Sequence, residues 1–355
     1  MAPVKSIIDL TEELIKFKTT EGNTVEFERC SRYIKDFFDG YCDVKEFSDE
    51  GVVSLLVTKD GSLSPSIMLV CHMDVVPATD AQFHPYQEAD KLWGRGAIDD
   101  KGPLALAMHL VREMISMGYD ASLLITGDEE KGGLRGAKSV VAKGVRPGFG
   151  IILDGGGPNT YVVKAKGILQ LKLSATGSEA HGSRPWTGKN AIKLLMDDYM
   201  KLLDMFPSND DENRWYTTVN IGRIQGGDAI NKVPGFAEAW IDIRYIETAD
   251  PEALVESIKA ALHSDVEILS KDAPFSSDPT AEQIRGLLEV SQRVYGEQPE
   301  VIATHGGTDA RHFTGTTVVV TNISGEGLHG SAECLYTDSI EKKYESLKQF
   351  IATAN

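Results

Sequence analysis

Apolar residues recur along the first part of the chain with two different periods. Ile7, Leu10 and Leu14 share one face of a helix, and a second helical pattern covers residues 27–38. A third helix is predicted over residues 102–117. Short apolar runs predict strands at 52–58, 66–72, 121–126 and 149–153. Because strands alternate with helices, the pattern predicts an α/β fold with a mostly parallel central sheet.

The pattern changes after about residue 166. Strands and helices then follow in the order β-α-β-β-α-β, which is the ferredoxin-like unit. These elements are predicted at 168–176, 189–204, 216–225, 236–245, 251–264 and 266–271. The earlier style returns with elements at 280–295, 300–303, 316–321 and 337–352. We therefore expect a larger domain of residues 1–166 and 275–355, interrupted by a smaller α+β domain of residues 167–274.

The amino-acid composition argues against some classes of binding partner. The 355 residues include 36 basic and 53 acidic side chains, a net charge of −17. This charge argues against nucleic acid and against anionic membrane surfaces as partners. No apolar run approaches the roughly 18 residues of a membrane-spanning helix, and the amphipathic start is unlike a secretory signal. Four scattered cysteines fit a reducing compartment, so we expect a cytoplasmic protein.

Histidine and acidic residues follow the predicted strands at their carboxyl ends. His72 closes the strand at 66–72, and Asp74 lies two residues later, on the same face of an extended chain. A metal-bound histidine needs a carboxylate on its other ring nitrogen, which this spacing can supply. A buried histidine–aspartate hydrogen bond without any metal explains this tripeptide equally well.

A second acidic pair lies in the glycine-flanked loop 92–102. Asp99 and Asp100 are adjacent and would repel each other unless a cation, Lys101 or Arg95 neutralises them. A solvated acidic turn is the alternative. Gly94 begins a pattern that resembles a dinucleotide-binding fingerprint, but the sixth position is Asp99, so the pattern fails.

Two further groups of acids follow strands. Asp128, Glu129 and Glu130 come directly after the apolar run at 121–126, and Asp154 closes the run at 149–153. Consecutive acids at the end of a buried strand are unfavourable without a cation nearby, although an exposed charge run is the simpler explanation for such a string alone. One histidine and several carboxylates at matching strand ends together predict a site for zinc, manganese or cobalt.

Three motifs resemble those of a known enzyme family. HMDVVP at 72–77, GRGAIDDKG at 94–102 and GDEEKGG at 127–133, with Asp154 and a late histidine, are similar to the co-catalytic zinc aminoacylase, carboxypeptidase and dipeptidase family. That family includes acetylornithine deacetylase, succinyl-diaminopimelate desuccinylase, carboxypeptidase G and bacterial dipeptidases. The resemblance spans nearly the whole chain. It implies a zinc-peptidase-type catalytic domain interrupted by a lid and dimerisation domain, and hence a homodimer.

The resemblance also implies a role for each matching residue. His72 and Asp154 would bind one metal ion, Glu130 and His329 a second, and Asp99 would bridge the two. The ions would be zinc, with cobalt or manganese as alternatives. In this family the peptide bond after the bridging aspartate is cis, which implies a cis bond between residues 99 and 100.

The remaining implied roles concern the reaction. Glu129 resembles the general base that activates a hydroxide bridging the two metals, and Asp74 the carboxylate behind the histidine ligand. His181 resembles the lid histidine that polarises the scissile carbonyl across the dimer. Substrate contacts are implied for Asn231, Arg244, Gly306, Gly307 and Thr308. Arg244 could instead pair with Asp242 or Asp309 for structural reasons alone.

The implied activity is hydrolysis of an amide or peptide bond in a small peptide or N-acyl amino acid. Asp154 is informative, because deacylases of the family more often place glutamate there, while aspartate resembles the aminopeptidase and dipeptidase branches. We therefore expect an exopeptidase or dipeptidase, with an N-acyl-amino-acid deacylase as the alternative. A catalytically silent metal- or amino-acid-binding protein would keep the lid but lack the base, and a purely structural acidic protein would hold no zinc.

Overall fold

The computed structural model describes residues 2–208, 212 and 214–354. The α-helices of this part are α1 Val4–Ile15, α2 Thr24–Phe38, α3 Lys101–Ser116, α4 Ala137–Ala142, α5 Ala191–Met205, α6 Pro251–Ala261, α7 Glu282–Tyr295 and α8 Ser339–Ala354. Short 3₁₀ turns lie at Asp80–Phe83, Glu129–Lys131, Pro185–Thr187 and Asp309–His312.

The strands of the same residues are β1 Asp43–Asp49, β2 Val52–Thr58, β3 Ile67–His72, β4 Tyr86–Glu88, β5 Lys91–Trp93, β6 Ala121–Thr126, β7 Phe149–Ile152, β8 Thr160–Ala165, β9 Gly167–Thr176 and β10 Ala180–His181. They continue with β11 Thr218–Gly226, β12 Lys232–Val233, β13 Phe236–Tyr245, β14 Asp265–Asp272, β15 Phe275–Ser276, β16 Glu300–Thr304, β17 Thr317–Val320, β18 Gly325–Glu326 and β19 Cys334–Tyr336.

The chain divides into two compact units. The first contains Met1–Val163, Ser277–Ala303 and Thr308–Asn355, and the second contains Lys164–Ser276 and Thr304–Gly307. Among the residues that the structure describes, no helix has both the length and the apolar character needed to cross a membrane.

The first unit is built on a mixed sheet with a parallel centre. Its strands lie in the order β1-β2-β6-β3-β7-β17-β8. The four central strands, β6, β3, β7 and β17, pair in parallel, and β1, β2 and β8 pair antiparallel at the sides. This arrangement confirms the predicted α/β class. Parallel strands bring their carboxyl ends to one edge, which is where open α/β sheets place their sites.

Burial explains why the central strands are continuously apolar in sequence. Every residue of β3 and β6 is buried, as expected for strands that are covered on both faces. Helix α3 is buried over most of its surface, and α1 packs on it through an apolar face that includes Ile7 and Leu14. Gly102 in the first turn of α3 lies so close to the carbonyl of Ala97 that a Cβ would come within 2.2 Å of that oxygen.

The second unit has the β-α-β-β-α-β order. Its antiparallel sheet is arranged β11-β13-β9-β14, which is the spatial order of a ferredoxin-like unit. Buried and less buried residues alternate along β9 and β13. The buried face packs against α5 and α6 in a core that includes Leu171, Ile241, Leu195 and Ile258. A sheet with one covered face requires this alternation.

Several short elements were not predicted from the sequence. They include β1, β8, α4 and the four-stranded sheet β18-β19-β5-β4, whose strands have only two or three residues each. Three residues are too few to show a period, and β1 is largely exposed along one edge of the main sheet. Longer buried elements such as β2 and β13 have the bounds expected from their apolar runs within two residues.

A buried aspartate connects α5 to the turn between α6 and β14. One oxygen of Asp198 accepts hydrogen bonds from the backbone N–H groups of His263 and Ser264 at 3.0 and 2.7 Å, and from the Ser264 hydroxyl at 2.8 Å. The other accepts from Lys201 at 3.0 Å. Burial alone would raise the pKa of Asp198, but these hydrogen bonds outweigh it and lower the pKa.

We expect Asp198→Ala to lower the free energy of unfolding by about 2–4 kcal/mol, because it leaves buried donors without an acceptor. Asp197→Ala, which removes an exposed pair with Lys193, should change it by about 0.5 kcal/mol or less. Denaturant titration measures both variants. Since the folded pKa is lowered, the stabilisation is complete above the unfolded pKa of about 3.9 and is lost as pH falls through the folded value. Equal losses for the two variants would contradict the assignment.

Candidate metal centre

Acidic and histidine side chains meet at the carboxyl edge of the parallel strands in the first unit. His72 is the last residue of β3, Asp154 follows β7 by two residues, and Glu129 and Glu130 follow β6. The strands that lead to His72 and Asp154, β3 and β7, are adjacent and parallel. Asp99 reaches this edge from the loop between β5 and α3. The strand-end residues singled out in the sequence are therefore neighbours in space.

The Asp99 carboxylate lies between two histidines. Its Oδ1 is 3.0 Å from Nε2 of His72, and its Oδ2 is 3.1 Å from Nε2 of His329. The same His329 nitrogen is 3.2 Å from Oε2 of Glu130. His329 has a φ of +60°, a left-handed conformation that is uncommon for residues other than glycine and often found at functional sites. Asp99 thus joins two groups of possible ligands.

These contacts form two sets of candidate metal ligands. His72, Asp99 and Asp154 each offer one ligand atom within 4.8 Å of the others, and so do Asp99, Glu130 and His329. Oε1 of Glu130 is buried and has no hydrogen-bond partner. Nitrogen and carboxylate oxygen donors without cysteine suit zinc, manganese or cobalt. The residues therefore fit divalent metal ions, and the shared aspartate fits a pair of them.

The electrostatics of the cluster also favour cations. Burial, followed by the charge of Asp99, raises the pKa of Glu130 to about 7. Burial raises the pKa of Asp154 to about 6. Burial, and then the charges of Asp154 and Asp309, raise the pKa of Glu129 well above its ordinary value. Carboxylates crowded in a low dielectric resist ionisation unless positive charge is supplied.

His72 is held from both sides. Its Nδ1 lies 3.0 Å from the carbonyl oxygen of Asp74 and 3.4 Å from that residue's Oδ1, so Nε2 is directed at Asp99. Burial would lower the pKa of His72, but hydrogen bonds with Asp74 and Asp99 outweigh it and raise the pKa well above the ordinary value. The Asp74 carboxylate also accepts the backbone N–H groups of Glu129 at 3.2 Å and Glu130 at 3.0 Å. It thereby connects the ends of β3 and β6.

Glu333 holds the loop that carries Asp99. Its Oε1 accepts the backbone N–H groups of Ile98 and Asp99, both at 3.2 Å, and its Oε2 accepts from buried Arg95. Arg95 therefore neutralises Glu333, while Lys101 donates to the carbonyl of Phe17. Neither cation pairs with Asp99, although the sequence left such a pair open. The peptide bond between residues 99 and 100 is cis, as the family resemblance implied.

The loop after β6 is organised by Asp128 and Asp309, which are not among the predicted site residues. Both oxygens of Asp128 accept backbone N–H groups, from Arg135 and Gly136, at 2.8 Å each. Buried Asp309 packs against this loop so closely that a Cβ on Gly133 would lie 2.0 Å from its Oδ1. In the sequence, the only indication of a role for either aspartate was its position next to a predicted site residue. The contact of Asp309 with a loop about 180 residues away was invisible in the sequence.

The second unit contains most of the other predicted residues. His181 is paired with Lys232 on the ribbon formed by β10 and β12. Asn231 immediately precedes β12, and its carbonyl accepts the N–H of Gly182 at 2.6 Å. Arg244 donates to Asp242 at 2.9 Å, the structural alternative considered from sequence. Gly306 and Gly307 are exposed residues of this unit.

Thr308 belongs to the first unit and is buried. Its Oγ1 accepts the N–H of Ala310 at 3.4 Å and so caps the short turn at Asp309–His312.

The chain matches the family model described as peptidase family M20/M25/M40 over residues 68–353. It is 31% identical to a probable succinyl-diaminopimelate desuccinylase of Staphylococcus aureus strain Mu50, covering 88% of each chain. It is 32% identical to acetylornithine deacetylase of Myxococcus xanthus, covering 76% of this chain and 75% of that one. The crystal structure of aminopeptidase PepT from Bacillus cereus has a TM-score of 0.81 at 22% identity, covering 99% of both chains, which shows a shared fold.

An α/β sheet that gathers nitrogen and oxygen ligands at its carboxyl edge, with these relatives, defines a metal-dependent hydrolase of C–N bonds. The chain belongs to peptidase family M20/M25/M40. It acts on peptides or N-acyl amino acids. The family resemblance inferred from the motifs is therefore confirmed.

Removal of the Glu333 charge should destabilise the protein. In Glu333→Gln the buried Arg95 guanidinium loses its counter-ion, so we expect a loss of about 3–5 kcal/mol in the free energy of unfolding. Glu326→Gln is the matched control, because its pair with Lys91 is exposed and should contribute little to stability. Denaturant unfolding followed by circular dichroism measures both. A Glu333→Gln protein as stable as the control would show that the pair does not hold the loop.

Proposed function

We propose that the chain is a two-metal exopeptidase or dipeptidase. The observation that carries the proposal is the position of Asp99, with one carboxylate oxygen within hydrogen-bond distance of His72 and the other equally close to His329. A carboxylate shared in this way is what a pair of divalent cations requires of its bridging ligand. No other buried acid of the described residues belongs to both candidate ligand sets.

The proposed metal-binding residues follow the two candidate ligand sets. His72, Asp154 and Asp99 would hold one ion, and Asp99, Glu130 and His329 would hold the other, with zinc as the first choice and cobalt or manganese as alternatives. When bound, the two cations supply Lewis-acid activation of water and of the scissile carbonyl. Asp74 fixes the ring of His72 and so orients its Nε2.

Glu129 is the general base of this proposal. It neighbours Glu130 in the turn after β6, yet it belongs to neither ligand set, so its carboxylate stays available for proton transfer. Burial raises its pKa, which brings a carboxylate closer to the range in which it can accept and return a proton. Glu129 takes a proton from the attacking water and passes it to the leaving amine.

His181 would polarise the scissile carbonyl. The backbone N–H of Ser183 donates to Nδ1 of His181 at 3.1 Å, which leaves Nε2 as the protonated nitrogen. A protonated Nε2 can donate a hydrogen bond to a developing oxyanion. Contacts to the rest of the substrate are proposed for Asn231, Arg244, Gly306, Gly307 and Thr308.

A homodimer through the second unit is also proposed. Strand β11 lies at an edge of its sheet, an arrangement that leaves backbone groups available for pairing. Met196 and Met200 are exposed on α5 at 57% and 56%.

Four free cysteines fit a cytoplasmic location.

The substrate class rests on two observations that point in different directions. Asp154 resembles the residue of the peptidase branches and favours peptides. The relatives that are 31–32% identical carry the names of a desuccinylase and a deacetylase, which favours N-acyl amino acids as the second candidate. Both reactions use the same base and ligands. The presence of Glu129 argues against a catalytically silent binding protein.

A substrate panel distinguishes these candidates. We expect the purified protein to contain about two divalent ions per chain and to hydrolyse dipeptides faster than N-acetyl and N-succinyl amino acids. Chelation should abolish hydrolysis of every substrate, and added zinc, cobalt or manganese should restore it, because the ions activate water and carbonyl. Elemental analysis and amine release are the measurements. Exclusive deacylation would overturn the peptidase assignment, and full activity after chelation would overturn the metal assignment.

Glu129→Gln should keep its metal content and lose activity. Glutamine preserves the size of the side chain but cannot accept the proton, so we expect kcat to fall about 10²–10⁴-fold. Glu13→Gln, an exposed change on α1, should keep full activity. Retention of more than a tenth of wild-type kcat by Glu129→Gln, with two ions bound, would exclude Glu129 as the base.

A further inference from the structure

A cavity of about 330 Å³ lies beside the metal centre, entirely within the first unit. Its walls come from the turn before α2, the turn between β1 and β2, and the loops that follow β3 and β6. Glu130 and Asp74 form part of its wall, so the cavity adjoins the candidate ligands directly. Its volume is at the lower end of the range for ligand pockets, which suits one side chain rather than a whole cofactor.

The cavity is mainly apolar. Its apolar wall is formed by Phe27, Val52, Val75, Val76, Pro77 and Leu134. A closed apolar cavity of about 150 Å³ is enough to bind benzene, so about 330 Å³ can take a leucine or phenylalanine side chain.

The charged groups around the cavity are already compensated. Lys131 pairs with Glu21 at 2.7 Å, and Arg135 pairs with Glu50. The remaining acids of the wall are satisfied by the backbone, because both oxygens of Asp74 and both oxygens of Asp128 accept N–H groups.

Glu130 is the exception, and it belongs to the candidate ligand set with Asp99 and His329. The cavity therefore offers no free charge to a polar or ionic side chain of the substrate, apart from the group that would face the metal.

We propose that this cavity is a specificity pocket that receives an apolar side chain next to the scissile bond. The inference rests on the proposed hydrolytic function and adds to it the class of substrate: peptides or N-acyl amino acids with a leucine-sized or phenylalanine-sized side chain. Val52, at the start of β2, and Leu134, in the loop before α4, form part of its wall from two separate segments. Both line the cavity without belonging to either ligand set.

The test compares leucine with glycine at each side of the cleaved bond. Leu-Gly, Gly-Leu, Gly-Gly, N-acetyl-leucine and N-acetyl-glycine are hydrolysed by the metal-loaded wild-type protein and by Val52→Phe. A larger side chain at position 52 fills the cavity. We expect the ratio of kcat/KM for leucine over glycine substrates to fall at least about 10-fold at one position, with the glycine substrates changed less than about twofold.

Two further variants keep the test interpretable. Leu134→Trp reduces the cavity from an exposed loop, where misfolding is less of a risk, and should show the same selective loss. Val25→Phe is the matched control: it makes the same change on the exposed face of α2, outside the cavity, and should leave the ratio unchanged. Denaturant unfolding verifies that each variant is folded.

The outcomes separate this proposal from the proposed function. If the wild type hydrolyses none of the substrates with metals bound, the hydrolytic proposal fails first. If it hydrolyses them but both cavity variants leave the leucine-to-glycine ratio unchanged, only the pocket proposal is overturned. Faster hydrolysis of Lys-Gly or Gly-Lys than of the leucine substrates, reduced selectively by Val52→Phe, would also overturn it, because the pocket would then select a cationic side chain.

Discussion

Negative charge concentrated at a buried sheet edge is the constraint on which the rest of this structure depends. Burial raises the pKa values of Glu129, Glu130 and Asp154, and neighbouring carboxylates add to the effect for all three. Asp99 differs, because its hydrogen bonds to His72 and His329 outweigh burial and lower its pKa. Such a cluster is unfavourable as a purely structural feature and becomes favourable once divalent cations are bound.

Other carboxylates accept hydrogen bonds from backbone N–H groups. Asp74, Asp128 and Glu333 each accept two backbone N–H groups, and each thereby fixes a loop that carries a candidate ligand or the proposed base. Loops at a sheet edge are otherwise the mobile part of a fold. Acidic residues in this chain thus have two roles, since some are available to ligate and others hold the ligating residues in position. Because these loops are held in position before any ligand binds, the site needs less ordering when a ligand does bind.

Sequence patterns predicted much of this organisation for a physical reason. A strand covered on both faces must be apolar throughout, so β3 and β6 were recognisable, and with them the strand-end positions of His72, Glu129 and Asp154. Alternation along β9 and β13 indicated a sheet with one covered face in the same way. Strands of two or three residues, such as β18 and β19, carry too few positions for a period and were missed.

By itself the sequence determined the fold class, the order of elements and which residue types stand at the strand ends, because local periodicity reports local burial. Only the tertiary structure decided how those residues share partners. Arg95 pairs with Glu333, which is 238 residues away in the sequence, and Asp309 packs against the loop at Gly133. The cavity beside Glu130 is likewise assembled from four separate segments. Contacts of this kind depend on how elements pack in three dimensions, and no periodic pattern along a chain encodes them.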